Sequence, residues 1–391
     1  MLHQRIETEL AAAAAEGLTR RVTDLRFTGA VTARDRQGRE YLVFSSNNYL
    51  GLTFDPRVRR AAAAAAEAFG SGSTGARLTT GGVMEASDLE QELAAFKHGE
   101  AALLFNTGYM TNLGVLYGLA RPGDLIFSDE LNHASIIDGC RISRATVVVY
   151  RHGDAADLEA KLQAHPVPPG AVRFLVTDGV FSMDGDVCDL PALVRLKEAY
   201  GCLLLVDDAH AVGVLGRDGA GTASYWDLPG AIDLQVGTLS KSLASVGGYV
   251  VARREIIDYL KNKSRPFIFS TFPSPADTAA AREALRILRT EGETLLGRLR
   301  RNTARIRQGL SDAGIPVLPG DTPIVPVMVG AADRATALDF RLREEGILLS
   351  AIRPPTVAPG ASRLRLTVTA AHTEAQLDFV LDRLAAAWRQ G

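Results

Sequence analysis

The sequence predicts an α/β protein that has a large domain with a mainly parallel sheet, a smaller C-terminal α/β domain and an N-terminal arm. From Glu100 onward, short apolar runs alternate with helix-length amphipathic stretches, which is the pattern of βαβ units around a buried sheet. A further set of strand-like runs follows a long helical region, and Ala-rich segments near the N-terminus favour helix. We expect the arm over residues 1–50, the large domain over 51–285 and the small domain over 286–391.

The predicted elements follow one another in a regular order. After an N-terminal helix and a strand at Arg39–Phe44, a helix at Pro56–Phe69 begins with proline and stops before Gly70. The strands of the large domain are predicted at Ala101–Phe105, Asp124–Phe127, Thr146–Tyr150, Val172–Val176, Cys202–Val206, Leu234–Val236 and Gly248–Val251. A long helical region from about Pro275 to Ala313 leads to strands near Ile324–Met328, Ile347–Leu349 and Leu364–Val368.

Composition narrows the class of protein. The 391 residues are 47% hydrophobic and 23% charged, which is typical of a soluble globular chain with a large core. The formal charge of −2 argues against nucleic acid as a partner, and no apolar run approaches the roughly 18 residues that cross a bilayer. The three cysteines form no Cys-x-x-Cys pair, and acidic residues interrupt the apolar N-terminal stretch, so we expect a cytoplasmic protein without a signal peptide.

Several familiar motifs are absent or lack their usual context. The segment Gly70–Gly75 matches G-x-G-x-x-G, but it follows a predicted helix where a dinucleotide site needs a strand. The chain contains no His-Glu-x-x-His, Gly-x-Ser-x-Gly or Gly-Lys-Ser/Thr motif. We therefore expect neither a metal site nor hydrolase or P-loop chemistry.

Polar side chains directly follow the predicted strands, where ligands gather in open α/β sheets. Asp207 ends an apolar run and is followed by His210, while His133 and Ser182 come after other strands. Lys241 lies beyond a further strand among small residues, and desolvation there would make its amine a better nucleophile. Taken singly, each of these residues also has a purely structural explanation: the aspartate as a helix cap, the lysine as a surface residue and the histidines as structural residues. Together they favour a functional site.

Two further observations bear on this interpretation. Gly108 opens a helix after the strand ALLF, so the amides there can hold a phosphate or simply form a tight turn. The chain has only six lysines against 37 arginines, and only Lys241 follows an apolar strand within a loop of small residues. A reaction that needs a primary amine therefore has one good candidate.

Seven segments of this chain together resemble the α-oxoamine synthases, a family of pyridoxal-phosphate enzymes with the fold-type I aminotransferase architecture. They are SNNYLGL, GSGSTGARLTTGG, NHASIIDG, TDGVFSMDGD, VDDAHAVGVLG, GTLSKSLASVGG and AIRPPTVAPGASRLRLT, and they cover nearly the whole chain. The resemblance implies pyridoxal 5'-phosphate as cofactor and a homodimer with a shared active site.

The resemblance also implies roles for residues near the cofactor. Lys241 would bind it covalently and move the substrate proton, Asp207 would pair with the pyridine nitrogen, and His133 would stack on the ring. The remaining contacts would be His210 and Ser182 near the phenolic oxygen, Thr238 and the backbone of Gly108 and Tyr109 at the phosphate, and Ser270 and Thr271 at the phosphate of the neighbouring subunit.

The resemblance also implies which residues contact the substrates. Asn47 would lie near the cofactor and substrate, and Arg365 would bind the amino-acid carboxylate, with Arg363 as the competing assignment. The acyl chain or its far carboxylate would meet Arg21, Arg353 and Thr356, with Arg20 as the alternative to Arg21.

The segment AIRPPTV (Ala351–Val357) is most similar to family members that join L-alanine to a pimeloyl thioester in biotin biosynthesis, with loss of carbon dioxide. Glycine-using relatives such as 2-amino-3-ketobutyrate ligase usually differ there. The alternatives are such a sister enzyme, a catalytically idle pyridoxal-phosphate-binding protein and, far behind, a nicotinamide enzyme. The sequence leaves open whether coenzyme A or a carrier protein delivers the acyl group.

Overall fold

The computed structural model describes residues 1–15, 19 and 22–390. The described helices, apart from a short 3₁₀ turn at Leu52–Phe54, are α1 (Leu2–Ala15), α2 (Pro56–Phe69), α3 (Met84–Phe96), α4 (Gly108–Leu119), α5 (Ala134–Ser143), α6 (Ala155–Ala164), α7 (Leu190–Tyr200), α8 (Thr222–Tyr225), α9 (Arg254–Lys263), α10 (Arg265–Ile268), α11 (Pro275–Asp312), α12 (Ala332–Glu344) and α13 (Glu374–Arg389).

The described strands are β1 (Leu25–Phe27), β2 (Thr32–Asp35), β3 (Glu40–Val43), β4 (Ala101–Phe105), β5 (Leu125–Asp129), β6 (Thr146–Tyr150), β7 (Arg173–Asp178), β8 (Cys202–Asp207), β9 (Leu234–Thr238), β10 (Gly248–Ala252), β11 (Ile324–Gly330), β12 (Ile347–Leu348), β13 (Ser350–Ile352) and β14 (Ser362–Thr367). They form three sheets, and the largest has the order β4-β10-β9-β8-β7-β5-β6. In this sheet β10 runs antiparallel to both neighbours, while β9, β8, β7, β5 and β6 pair in parallel.

Two smaller sheets lie outside this seven-stranded one. Strands β11, β14 and β13 form an antiparallel sheet from the C-terminal part of the chain. Strands β1, β2 and β3 form a sheet that β12 joins in parallel through Ile347 and Leu348. The segment before Val43 is therefore tied by backbone hydrogen bonds to a strand more than 300 residues later.

Helices on both faces explain why the strands of the large sheet are almost entirely apolar. Consecutive residues point to opposite faces of a strand, and Ile126 and Phe127 accordingly belong to different apolar clusters. One cluster packs against α4 and α9, and the other against α6 and α7. Because both faces are buried, polar side chains of the sheet are concentrated at the strand ends.

Local sequence also fixes where helices begin. Asp55 accepts a hydrogen bond from the Arg57 amide at the start of α2, whose first residue is Pro56. Thr107 caps α4 by accepting from the Met110 amide, and Ser274 caps α11. These caps set the direction in which each helix leaves the strand or loop before it.

The predicted α/β architecture with a mainly parallel sheet is confirmed, and the predicted strands recur within two or three residues. The strand expected at Ile347–Leu349 is instead two short strands, because Leu348 pairs with β3 while Ser350 pairs with β14. The domain boundary at residue 285 falls inside α11, which is continuous over 38 residues. Division of the chain at that point stays a prediction.

Within residues 1–15, 19 and 22–390, no helix is both long enough and apolar enough to traverse a bilayer. The same ranges contain no group of three or more His, Cys, Asp or Glu side chains placed to hold a metal ion. The three cysteines are buried and free.

Candidate active site

A cavity of about 120 Å³ lies at the carboxyl ends of the central parallel strands. Three of its lining residues end neighbouring strands: Asp178 ends β7, Asp207 ends β8 and Thr238 ends β9. The full lining consists of Gly108, Tyr109, His133, Ser135, Asp178, Ser182, Asp207, Ala209, His210, Thr238 and Lys241. The structure thus brings together eight of the residues that the sequence assigned to the cofactor.

Lys241 lies in the loop between β9 and β10. Two buried neighbours, Leu239 and Leu243, anchor this loop on either side of the lysine. The Lys241 ammonium forms neither an ion pair nor a hydrogen bond with any residue in the described ranges. Burial lowers the pKa of Lys241 to about 8, although the negative charges of Asp207 and Asp178 oppose this shift. A larger fraction of this amine is therefore neutral and nucleophilic near neutral pH than of an ordinary lysine.

Asp207 is buried and held from two directions. Its Oδ1 accepts from the Ala209 amide at 2.8 Å, and its Oδ2 accepts from Asn112 Nδ2 at 2.6 Å. Asn112 lies on the buried face of α4 and also donates to Ser135 Oγ at 2.9 Å. The carboxylate therefore has a fixed orientation and can accept one further hydrogen bond from a ligand in the cavity.

His133 caps α5 and carries an exposed ring at the rim of the cavity. Its Nδ1 is 2.7 Å from Ser135 Oγ, and its backbone N–H donates to Asp178 Oδ2 at 2.7 Å. Burial lowers the pKa of His133, while the Asp207 carboxylate acts in the opposite direction. A neutral ring held in this way offers an aromatic face to a planar ligand.

Asp178 was not singled out by the sequence reasoning. Its carboxylate lies at the end of β7 in register with Asp207 of β8. Burial and the negative charge of Asp207 raise the pKa of Asp178 well above its usual range. The hydrogen bond from the His133 backbone N–H and the positive charge of Lys241 act against this rise in the pKa of Asp178.

His210 is buried behind the cavity and contacts Tyr49. The distance between Tyr49 Oη and His210 Nδ1 is 2.6 Å. Burial lowers the pKa of His210 well below its usual range, and the positive charges of Lys241 and Arg365 act in the same direction. His210 is therefore a neutral hydrogen-bonding group.

The N-terminus of α4 meets the end of β9 at very close range. A Cβ atom placed on Gly108 would be 3.3 Å from the Thr238 side chain, and one placed on Gly248 would be 2.6 Å from the Gly108 nitrogen. Glycine at these two positions therefore permits the approach. The first amides of a helix have no partner within it, so those of Gly108 and Tyr109 can bind an anion next to Thr238.

Two arginines that the sequence could not separate have different environments. Arg363 pairs with Asp184, so its charge is already balanced. Arg365 donates instead to neutral oxygens, at 2.5 Å to the Ser182 carbonyl and at 3.2 Å to Asn47 Oδ1. In the part of the chain that the structure describes, no carboxylate lies within ion-pair distance of Arg365.

The other predicted residues lie outside the cavity lining. Ser270 and Thr271 precede α11 on the surface, where the Thr271 carbonyl accepts from Asn106. Arg353 and Thr356 follow β13, and the Thr356 amide donates to the Arg353 carbonyl at 3.0 Å. Arg20 and Arg21 are not among the described residues.

Sequence reasoning missed Tyr49, Asn112, Ser135 and Asp178. Tyr49, Ser135 and Asp178 belong to the segments SNNYLGL, NHASIIDG and TDGVFSMDGD, and Asn112 lies in the helix predicted to begin at Gly108. Asn112 carried the clearest signal, because a polar side chain falls on the face of a helix that is otherwise apolar. The pairs Tyr49–His210 and Asn112–Asp207 could not be inferred, because they join residues 161 and 95 positions apart in the chain.

The donor set suits pyridoxal 5'-phosphate. A half-buried amine, a fixed carboxylate, an imidazole face and a helix N-terminus are the groups that an aldehyde, a pyridine nitrogen, an aromatic ring and a phosphate require.

Comparison with known proteins also indicates an enzyme that uses pyridoxal phosphate. Residues 39–384 match the family model described as aminotransferase class I and II. An 8-amino-7-oxononanoate synthase from Lysinibacillus sphaericus is 45% identical over 384 residues, covering 98% of this chain and 97% of the relative. One from Geobacter sulfurreducens is 49% identical over 351 residues, covering 89% of each chain.

A solved serine palmitoyltransferase from S. paucimobilis, with a bound aldimine of pyridoxal phosphate and myriocin, is similar in structure. It is 34% identical with a TM-score of 0.92, covering 98% of this chain and 97% of the other. With a cavity that suits the same cofactor and a family match over most of its length, the chain belongs to the aminotransferase class I and II family and, within it, to the α-oxoamine synthases.

Proposed function

We propose that the protein joins L-alanine to a pimeloyl thioester, with pyridoxal 5'-phosphate as cofactor. The products are 8-amino-7-oxononanoate, carbon dioxide and the free thiol of coenzyme A or of a carrier protein, as a step of biotin synthesis. The observation that carries the chemistry is the Lys241 amine, which has a lowered pKa, lacks an ion-pair partner among the described residues and lines the same cavity as Asp207.

The choice of substrates has separate support. The two relatives that are 45% and 49% identical to this chain over the aligned residues are 8-amino-7-oxononanoate synthases, whereas the serine palmitoyltransferase is 34% identical. The segment Ala351–Val357 points to the same substrates.

Pyridoxal phosphate, when bound, supplies a ring that takes up the electron pair released at the amino-acid Cα. Lys241 would hold the cofactor through Nζ, and once the amino acid is bound Nζ would take the Cα proton and later return one. Asp207 keeps the proton on the pyridine nitrogen, in the orientation set by Asn112 and the Ala209 amide. Positioned proton transfer of this kind contributes about 10²–10⁴-fold to a rate.

The substrate carboxylate needs a cation that is not already neutralised. Arg365 meets this need because its partners, the Ser182 carbonyl, Asn47 Oδ1 and Thr367 Oγ1, are neutral oxygens, and one N–H of its Nη2 is left for a carboxylate. Asn47 accepts from both terminal nitrogens of Arg365 and so fixes the plane of the guanidinium. Arg353, Thr356 and Arg21 remain our candidates for the acyl chain or its far carboxylate.

The proposal includes a homodimer in the cytoplasm. Leu78 and Phe269 are 56% and 69% exposed, and the backbone bridge between Ala76 and Thr271 brings their two segments together. A second copy covering this apolar surface would receive Ser270 and Thr271 near its own phosphate site. Buried free cysteines suit a reducing compartment.

Sedimentation of the wild type and of Phe269→Glu tests the dimer. We expect a dimer at micromolar concentration for the wild type and dissociation for the variant. A monomeric wild type with full activity would contradict the shared site.

A substrate panel tests the reaction. Thiol release is measured with L-alanine, glycine and L-serine, each offered with pimeloyl-, acetyl- and palmitoyl-CoA, and the condensation product is identified by mass. We expect L-alanine with pimeloyl-CoA to have the highest kcat/KM, since one methyl group typically changes recognition about 10–200-fold. Preference for glycine with acetyl-CoA or serine with palmitoyl-CoA would assign a sister activity, and absence of product from every pair would favour an idle cofactor-binding protein.

A further inference from the structure

Tyr49 contacts His210, a residue of the candidate site, and none of the roles assigned to the site residues explains this contact. It is fully buried in the loop after β3, and backbone hydrogen bonds fix it on both sides. Its amide donates to the Asn47 carbonyl at 2.8 Å, and its carbonyl accepts from the Ala370 amide at 2.7 Å. The phenol is therefore held in one place, with its oxygen 2.6 Å from His210 Nδ1.

The direction of this hydrogen bond follows from the alternatives open to the phenol proton. The other acceptor near Tyr49 Oη is Asn47 Oδ1, at 3.4 Å, which is long for a bond between a hydroxyl and an oxygen. Asn47 Oδ1 also accepts from both terminal nitrogens of Arg365, which uses its two lone pairs. The proton of Tyr49 therefore points to His210 Nδ1.

The protonation state of the phenol agrees with this direction. Burial raises the pKa of Tyr49 to about 12, although the Arg365 charge opposes the shift, so the hydroxyl keeps its proton at neutral pH. A neutral imidazole that accepts at one nitrogen carries its proton on the other. The proton of His210 is thus assigned to Nε2.

The free edge of the His210 ring belongs to the cavity. Nε2 makes no hydrogen bond with any residue that the structure describes, whereas His210 is part of the cavity lining. An N–H group with no protein partner at this place is available to an acceptor atom of a bound molecule.

We propose that Tyr49 is a positioning residue that holds the neutral His210 ring in the Nε2–H form, so that Nε2 donates to an anionic oxygen of the ligand. The inference rests on the proposed function for the identity of that oxygen, which is the phenolic oxygen of pyridoxal phosphate. Tyr49 itself does not touch the ligand. It acts by denying His210 the other tautomer, which would present a lone pair to the anionic oxygen.

Nitrogen NMR of the histidine side chains tests the tautomer directly. The full-length protein is labelled with ¹⁵N-histidine and examined at neutral pH, both loaded with cofactor and freed of it. The His210 signals are assigned as those that disappear in His210→Gln. We expect protonated Nε2 and unprotonated Nδ1 in the wild type, and a shift towards the Nδ1–H form in Tyr49→Phe.

Tyr249→Phe provides the matched control, because Tyr249 is also fully buried but its hydroxyl has no hydrogen-bond partner among the described residues. It should leave the His210 signals and the affinity for pyridoxal phosphate unchanged. Tyr49→Phe should weaken cofactor binding about tenfold, the effect of losing one hydrogen bond to a charged oxygen.

Two results would overturn the proposal. One is a wild-type His210 that carries its proton on Nδ1 or on both nitrogens, and this measurement needs no folded variant. The other is a folded Tyr49→Phe protein with unchanged His210 signals. Since the tautomer is read without substrates, a negative substrate panel would disprove the proposed function and leave this result standing.

Discussion

Lys97 and Lys241 are two buried or half-buried lysines on opposite sides of one strand end, and they differ in what they pair with. Asp207 ends β8 and Asp208 follows it directly, and neighbouring side chains of an extended segment point to opposite faces. Asp208 forms an ion pair with Lys97 at 2.5 Å, and both side chains are fully buried. Lys241 lines the cavity with Asp207 but makes no ion pair with the residues described.

The two arginines of β14 show the same contrast. Arg363 is paired with Asp184, whereas Arg365 contacts neutral oxygens. Removing either member of an ion pair inside the protein leaves the other charge without its partner, whereas a cation without a carboxylate partner keeps its binding capacity for a ligand. Lys241 and Arg365, which have no carboxylate partner among the described residues, are the two cations that we assign to the reaction.

Replacing Lys241 should give the largest loss of activity. Lys241→Ala removes both the amine that binds the cofactor and the base, so we expect kcat/KM to fall by at least about 10³-fold. The thermal midpoint should change little, because no ion pair with a described residue is lost. Thiol release, borohydride reduction with peptide mass analysis and thermal unfolding measure the three effects.

Lys261→Ala is the control, since Lys261 is a partly exposed lysine whose ion pair, among the described residues, is with Asp258 three residues away. It should retain full activity and a reducible adduct. Recovery of a borohydride-reduced lysine–cofactor adduct from Lys241→Ala would show that another amine binds the cofactor.

Replacing Lys97 should give the largest loss of stability. Lys97→Met leaves Asp208 as a buried charge without its partner, a change that typically costs about 3–5 kcal/mol. The folded fraction should still bind cofactor, since Lys97 does not line the cavity. Thermal and urea unfolding measure the effect.

The double variant Lys97→Met/Asp208→Asn tests the cause. Removing the orphaned charge should restore part of the lost stability, because Thr222 can still donate to the remaining side-chain oxygen. If the double variant is no more stable than Lys97→Met, the ion pair is not the source of the effect.

The arginine pair should separate substrate binding from stability. We expect Arg365→Gln to raise the KM for the amino acid about 10–100-fold, the value of a charged hydrogen bond of roughly 1.5–3 kcal/mol. Arg363→Gln should leave that KM near the wild-type value and lower the thermal midpoint, because Asp184 loses its partner. The opposite pattern would move carboxylate binding to Arg363.

The smallest effect that we expect is the pH dependence of the rate at which Lys241 binds the cofactor. Its lowered pKa of about 8 means that the neutral amine appears as pH rises through 8, instead of near the ordinary value of 10.5. In cofactor-free protein, the rate of pyridoxal-phosphate attachment should rise about tenfold between pH 7 and 9 and then level off. Stopped-flow absorbance measures this profile, and a rate still rising steeply above pH 10 would contradict a lowered pKa.

Much of the fold and of the candidate site could be predicted from the sequence, because it depends on local patterns. Short apolar runs bounded by glycine and polar residues located β4 to β10 in the sequence, and the polar residue after each run located Asp207, His133 and Lys241. Residues at the exits of neighbouring parallel strands must meet at one sheet edge, so the candidate site followed from the strand order. The split between β12 and β13 could not be foreseen, because each pairs with a strand far away in sequence.

The contrast between paired and unpaired cations marks the division between sequence and structure. By itself the sequence determined the α/β order, the single lysine in a strand-exit loop and the presence of two arginines in one strand. Only the tertiary structure decided that Asp208 and Asp184 neutralise Lys97 and Arg363, while Lys241 and Arg365 have no carboxylate partner in the part of the chain that the structure describes. The physical reason is that charge balance inside a protein depends on distances across 111 and 179 residues of chain, which no local pattern encodes.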